Sequence, residues 1–126
     1  MLEIYSQKFG DVTVLCLQGE VVIGETAILR NSIQSLSNIR AIVLDLNRVT
    51  RIDARGLGLL LELRERVQAQ GIEFKLVNVP RLIRQVIELA CLNSVFELSS
   101  RAEVLSMAAR GRSTPVAQIV ACPQQA

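Results

Sequence analysis

Residues 41–46 read Ala-Ile-Val-Leu-Asp-Leu, apolar on both faces of a strand except for one aspartate, and a strand covered on both sides suits that pattern. After a short loop the apolar period lengthens. Asp53-Ala-Arg-Gly-Leu-Gly opens a stretch that reads as a helix over 54–70, stopped by Gly71, and Phe74-Lys-Leu-Val-Asn-Val follows as another strand. Strand, helix and strand in this order imply a right-handed crossover between parallel neighbours. The helix start is then exposed at one end of the sheet, with its first backbone N–H groups free.

The remaining segments fit the same layered scheme. Glu3-Ile-Tyr-Ser-Gln and Val12-Thr-Val-Leu-Cys-Leu-Gln read as strands, and Gly10-Asp11 between them is a hairpin signal. Across 26–36, Ala27, Leu29, Ile33 and Leu36 fall mostly on one helical face, which predicts a first amphipathic helix. Pro80 suits the first turn of a third helix over 81–90, with Leu82, Ile83, Val86, Ile87 and Leu89 mostly inward. A short strand near 95–98 closes the sheet. Ser100 and Glu103 have the spacing of a capping box, which predicts a last helix over 102–110. One domain is therefore expected over 1–110, with 111–126 as a flexible tail.

A chain of 126 residues has the length for one hydrophobic core. Half of it is apolar but only three phenylalanines and one tyrosine are aromatic, which leaves the core to Leu, Ile, Val and Ala. There is no histidine, so the usual general base, the commonest metal ligand and the near-neutral pH switch are missing. Asp45 and Asp53 are the carboxylates nearest to acid–base work, and buried or capping roles explain both. No catalytic, cofactor or metal residues are expected. Cys16, Cys91 and Cys122 show neither a disulfide framework nor a thiolate metal spacing, and the first two are expected as buried, reduced thiols. A formal net charge of +2 and the scattered aromatics argue against a nucleic-acid partner. The apolar runs fall short of the roughly 20 residues of a spanning helix, and the first residues lack a signal-peptide layout. A cytoplasmic location without membrane insertion is expected.

Four local patterns in this order resemble the STAS domain family, the fold of bacterial anti-sigma-factor antagonists. Leu17-Gln-Gly-Glu-Val is similar to the family's turn after its second strand, and Ile42-Val-Leu-Asp-Leu to its central strand. Ile52-Asp-Ala-Arg-Gly-Leu-Gly is similar to the family signature Asp-Ser-Ser-Gly-Leu-Gly, and Leu76-Val-Asn-Val-Pro to the strand that follows the signature helix. The resemblance spans residues 3–107. It implies an α/β fold with a mixed sheet of four or five strands and helices packed mainly on one side. It also implies a binding module rather than an enzyme, one that docks an anti-sigma factor or kinase-type regulator and thereby acts in transcription regulation. The alternative is a STAS scaffold subunit of a signalling assembly, among other STAS proteins, or of a lipid-transport system.

The family's phosphorylatable serine or threonine maps onto Ala54, which has no hydroxyl. Arg55 stands where a small residue is common, and Cys91 where glycine is frequent. Thr50 and Ser32 are other hydroxyls that a kinase could use, with turn and helix-surface roles ahead of that use. Asp53 suits the N-cap of the signature helix. Gly56 and Gly58 each cost about 1 kcal/mol inside a helix, which a close approach or an exposed contact surface would explain. Arg48, Arg51 and Arg55 cluster around the expected loop 48–53, as a solvated surface or as a match for an acidic partner face. Arg55, Leu59, Glu62 and Arg66 fall along one helix side, which makes Leu59 a candidate exposed anchor on a polar stripe. The expected partner-binding set is therefore Arg48, Arg51, Asp53, Arg55, Gly56, Leu59, Glu62 and Arg66, around Ala54 as the phosphosite equivalent.

Overall fold

A computed structural model of the chain describes residues 2–92 and 94–99. The elements in order are β1 (Glu3–Phe9), β2 (Val12–Val21), α1 (Thr26–Gln34), β3 (Ala41–Ile52), α2 (Ala54–Gln68), β4 (Glu73–Val77), α3 (Arg81–Leu89) and β5 (Glu97–Ser99). The expected helix over 102–110, the tail 111–126 and Cys122 lie outside the described residues.

The strands lie side by side in chain order, with β1 antiparallel to β2 and every later pair parallel. Each parallel step needs a crossover, and crossovers of one hand that advance in one direction put their helices on one face of the sheet. On that face Leu15, Leu17, Ile42, Leu44, Leu46, Phe74 and Leu76 meet Leu29 and Ile33 of α1, Leu60 and Leu63 of α2, and Ile83 and Ile87 of α3. The opposite face carries a second apolar cluster of Phe9, Val12, Val14, Cys16, Ala41, Val43 and Val77. Ala41, Ile42, Val43 and Leu44 are each 0% exposed, so β3 is the doubly covered strand its composition predicts. Helix α2 stops as expected: Gly71 takes φ 79°, and the Ile72 N–H donates to the Val67 carbonyl at 3.0 Å.

Three expectations need correction. The segment read as a turn at 17–21 and all of the expected loop 48–53 except Asp53 are strand, with Gln18 opposite Arg48, Gly19 opposite Val49, Glu20 opposite Arg51 and Val21 opposite Ile52. Register shifts between Cys16 and Gln18 and between Gly19 and Glu20 break the two-residue alternation, which is why the strand ends are hidden in the sequence. Helix α3 buries only Ile83 and Ile87 fully, while Leu82 and Leu89 are 68% and 85% exposed. Cys91 is exposed just past that helix, and Cys16 is buried but disulfide-bonded rather than a free thiol.

Strand β4 pairs with β3 only as far as Val77 opposite Asp45. Asp45 finishes that junction: its carboxylate accepts from the Asn47 N–H at 2.9 Å and from the Asn78 amide at 3.2 Å. Beyond it β1 stays beside β2 as far as Gln18, after which the ends of β2 and β3 continue as a two-stranded arm that leads into α1 and α2.

Candidate functional site

One residue, Asp53, joins β3 to α2. Its backbone is extended and its carboxylate is shared between two donors. Oδ1 accepts from the Gly56 N–H at 2.9 Å, which caps the helix, and Oδ2 accepts from the Ile23 N–H at 3.0 Å, which ties the helix start to the chain leaving β2. The Asp53 N–H in turn donates to the Val21 carbonyl at 3.3 Å. The bonds from Ile23 and Gly56 favour the charged form and hold this carboxyl below the usual carboxylate value, with a further pull from the Arg51 guanidinium. A group held ionised in this way is a poor general acid at neutral pH.

Gly56 makes the close approach possible. A Cβ there would lie 2.0 Å from the Val21 carbonyl oxygen and 2.9 Å from the Ile52 side chain, so the first turn of α2 rests directly on the backbone of β2. At Gly58 the situation is reversed, because a Cβ there would meet no atom within 4 Å. No packing demand fixes this second glycine. Together with Ala54, it leaves a strip without long side chains beside Arg55 on the exposed side of the first two turns.

That bare side is one wall of a groove. Thr26 and Arg30 of α1 face Ala54, Arg55, Gly58, Leu59 and Glu62 of α2 across a space of about 250 Å³. Arg30 reaches over it to Glu62, with Nε and Nη2 each 3.4 Å from a carboxylate oxygen, and Arg66 approaches the same carboxylate at 3.3 Å. Arg51 lies 3.7 Å from Glu20 on the arm. Among the described residues no group of three His, Cys, Asp or Glu side chains gathers as a metal site, and no described helix is long and apolar enough to cross a membrane.

The family model of the STAS domain matches residues 3–104. The chain belongs to the STAS domain family. Solved structures of similar fold include the anti-sigma factor antagonist SpoIIAA in its unphosphorylated form, at 19% identity and a TM-score of 0.71 over 89% of this chain and 100% of that one. The same protein in its phosphorylated form, described as the Bacillus cell fate determinant, matches at 18% and 0.64 over 83% and 98%. An anti-sigma factor antagonist from Mycobacterium paratuberculosis matches at 22% and 0.72 over 87% and 92%. A sulfate transporter family protein from Wolinella succinogenes matches at 19% and 0.65 over 79% and 86%. At these identities the likeness is one of fold, and the same fold serves proteins of different roles.

Within this STAS domain the signature Asp53-Ala-Arg-Gly-Leu-Gly is the hinge from sheet to helix. The structure brings Asp53, Ala54, Arg55 and Glu62 to one surface, with Arg66 a turn further along. Arg48 and Arg51 sit on the β3 arm rather than in a loop. Two residues expected to bind a partner are corrected. Gly56 is buried beneath the helix against Val21 and is not open to a partner. Leu59 is 3% exposed, because α1 packs along that side of α2, so it forms the floor of the groove rather than an anchor. Three further residues of the site escape the sequence pattern: Thr26 and Arg30, which form the opposite wall, and Ile23, which is 62% exposed beside the Asp53 carboxylate. Thr26 and Arg30 are spaced four apart and share a side of α1, but nothing in the sequence pairs that side with Gly58.

Proposed function

We propose that this STAS domain is a protein-binding regulatory module of the anti-sigma-factor-antagonist kind, which docks an anti-sigma factor on the start of α2 and the groove beside it. The observation that carries the reading is the rigid helix start: Asp53 and Gly56 lock α2 to β2, while Ala54, Arg55 and Gly58 are left facing outward. A docking surface that is already ordered binds with a smaller entropic loss. Ile23 supplies an exposed apolar contact next to it, and Arg51 and Arg55 supply exposed cations, a combination suited to a partner that brings carboxylates around an apolar centre. Ala54 keeps this position free of phosphate, so the surface stays competent whatever a kinase does there.

The test is retention of partners by the tagged full chain from its own cell lysate, with Gly58→Arg as the control. Position 58 has room for a side chain, so the variant folds and fills the groove. Recovery of an anti-sigma factor by the wild type, with at least a tenfold loss in Gly58→Arg, is the expected result. Recovery of transporter subunits or other STAS proteins in its place would overturn the reading in favour of a scaffold role.

A further inference from the structure

We infer that the chain beyond Ser99 lies as a strap across the face of the sheet opposite the helices, fastened by a disulfide between Cys16 and Cys122 and released by a dithiol reductant. The inference is independent of the docking reading, because the groove lies on the other side of the sheet.

All three described helices pack on one face of the sheet, and the apolar cluster on the other face is built from residues of β1 to β4 alone. A sheet face open to water leaves its side chains exposed. Here Ala41 and Val43 are 0% exposed, and Val14, Cys16 and Val77 are buried as well. Lys75 stands two residues before Val77 on the same face, and its side chain is only 9% exposed beside Glu73. Something other than the described elements covers this face. Cys16 says which part of the chain does so. It is disulfide-bonded, Cys91 is a free thiol, and the chain holds three cysteines, which leaves Cys122 as the partner.

The path is short. Ser99 pairs with Val77, Val77 with Asp45 and Asp45 with Cys16, so Ser99 and Cys16 stand in one cross-strand row. Three strand spacings separate them, about 14 Å. Cys122 lies 23 positions beyond Ser99, which is ample chain to cross that distance over the face. The segment also brings the side chains such a cover needs, with Val104, Leu105 and Met107 followed by Val116, Ile119 and Val120. Burying them against Val14, Val43 and Val77 removes apolar surface from water on both sides. A dithiol opens the fastening by exchange, and because Cys16 is buried its first thiolate attacks the Cys122 sulfur. Cys16 leaves as a thiolate. The second thiolate of the reductant then closes its own disulfide and releases Cys122, so the dithiol gives up two electrons and two protons to the cysteine pair.

The experiment equilibrates the purified full chain with glutathione disulfide, blocks remaining thiols by alkylation, and maps tryptic peptides by mass spectrometry. Anilinonaphthalene sulfonate, a dye that brightens on exposed apolar surface, then reads the face in wild type, Cys122→Ser and Cys91→Ser, each with and without dithiothreitol. The expected result is one linked peptide pair that holds Cys16 and Cys122, with Cys91 outside it. Dye emission of the wild type should rise at least about threefold on reduction while the far-ultraviolet circular dichroism stays native. Cys122→Ser should show the higher emission in both conditions, and Cys91→Ser should follow the wild type. Cys16 found unpaired, or paired with Cys91, overturns the inference. Emission that is equal before and after reduction, and equal in Cys122→Ser, overturns the strap as what the bond holds down. Loss of the native circular dichroism on reduction also overturns it, since the bond would then hold the whole fold rather than a cover.

Discussion

A single added carbon separates the two signature glycines. At Gly56 it would sit 2.0 Å from the Val21 carbonyl, inside van der Waals contact with backbone that cannot swing aside, so α2 would have to lift from β2. The gain in helix propensity, about 1 kcal/mol, is smaller than the cost of overpacking, which reaches about 3 kcal/mol. Gly56→Ala is therefore expected to lower the urea midpoint, whereas Gly58→Ala, with open space around it, is expected to raise it by the equivalent of about 0.5–1 kcal/mol. Asp53 carries a pH signature of the same local geometry. Its carboxyl is held below the ordinary value of 3.8 by the Ile23 and Gly56 N–H groups, so its contribution is fully present above that pH and fades as pH falls through the lower folded value. Asp53→Asn keeps an acceptor oxygen for one donor but loses the shared carboxylate. The melting-temperature gap between wild type and Asp53→Asn is expected to be constant between about pH 8 and about pH 5 and to close in acid. A gap that persists well below 3.8 would mean that the carboxylate's charge is not what holds the junction.

Among the elements, those built on uninterrupted periods are legible in the residues alone. Strand β3 from Ala41 to Leu46 is apolar apart from Asp45, and α2 has both a capping aspartate and a terminating glycine, so the type of both and the extent of α2 follow from the residues. The continuation of β2 and β3 does not follow, because the two register shifts put Val49 out of alternation with Ile42, Leu44 and Leu46 and return Ile52 to it only three residues later. Leu59 marks a different limit. Its spacing with Arg55, Glu62 and Arg66 is that of a polar stripe, and only the packing of α1 beside α2 makes it floor rather than surface. The Arg30 to Glu62 contact depends on the same packing and joins residues 32 apart in sequence. Helix α3 departs in the opposite direction, with an apolar arc wider than the surface the sheet offers it, which leaves Leu82 and Leu89 outside. What the sequence hides is therefore which helix face meets which neighbour, and the candidate groove is made of that relation.

Across the whole molecule, support for the sheet is uneven along its length. Residues 41–45 of β3 are hydrogen-bonded to β2 on one side and β4 on the other, and are covered above and below. From Arg48 onward β3 has only β2 as a neighbour, across a bulged register, and Thr50 and Arg51 point to solvent. Opening free energies follow such differences, since amides in doubly paired, buried strand exchange only with global unfolding while singly paired ones open locally. Hydrogen exchange followed by mass spectrometry or NMR is therefore expected to show residues 42–44 protected to the limit set by global stability. Residues 49–51 should exchange at least roughly tenfold faster, together with the Ile23 amide that depends on Asp53. Equal protection along the whole of β3 would show that the arm is as stable as the centre. The gradient bears on docking, because Ile23, Arg51 and Asp53 all sit where the arm meets α2. A partner seated there would bind the one part of the sheet free to adjust, against a helix start that Asp53 and Gly56 hold fixed, and protection of 49–51 should rise when it binds.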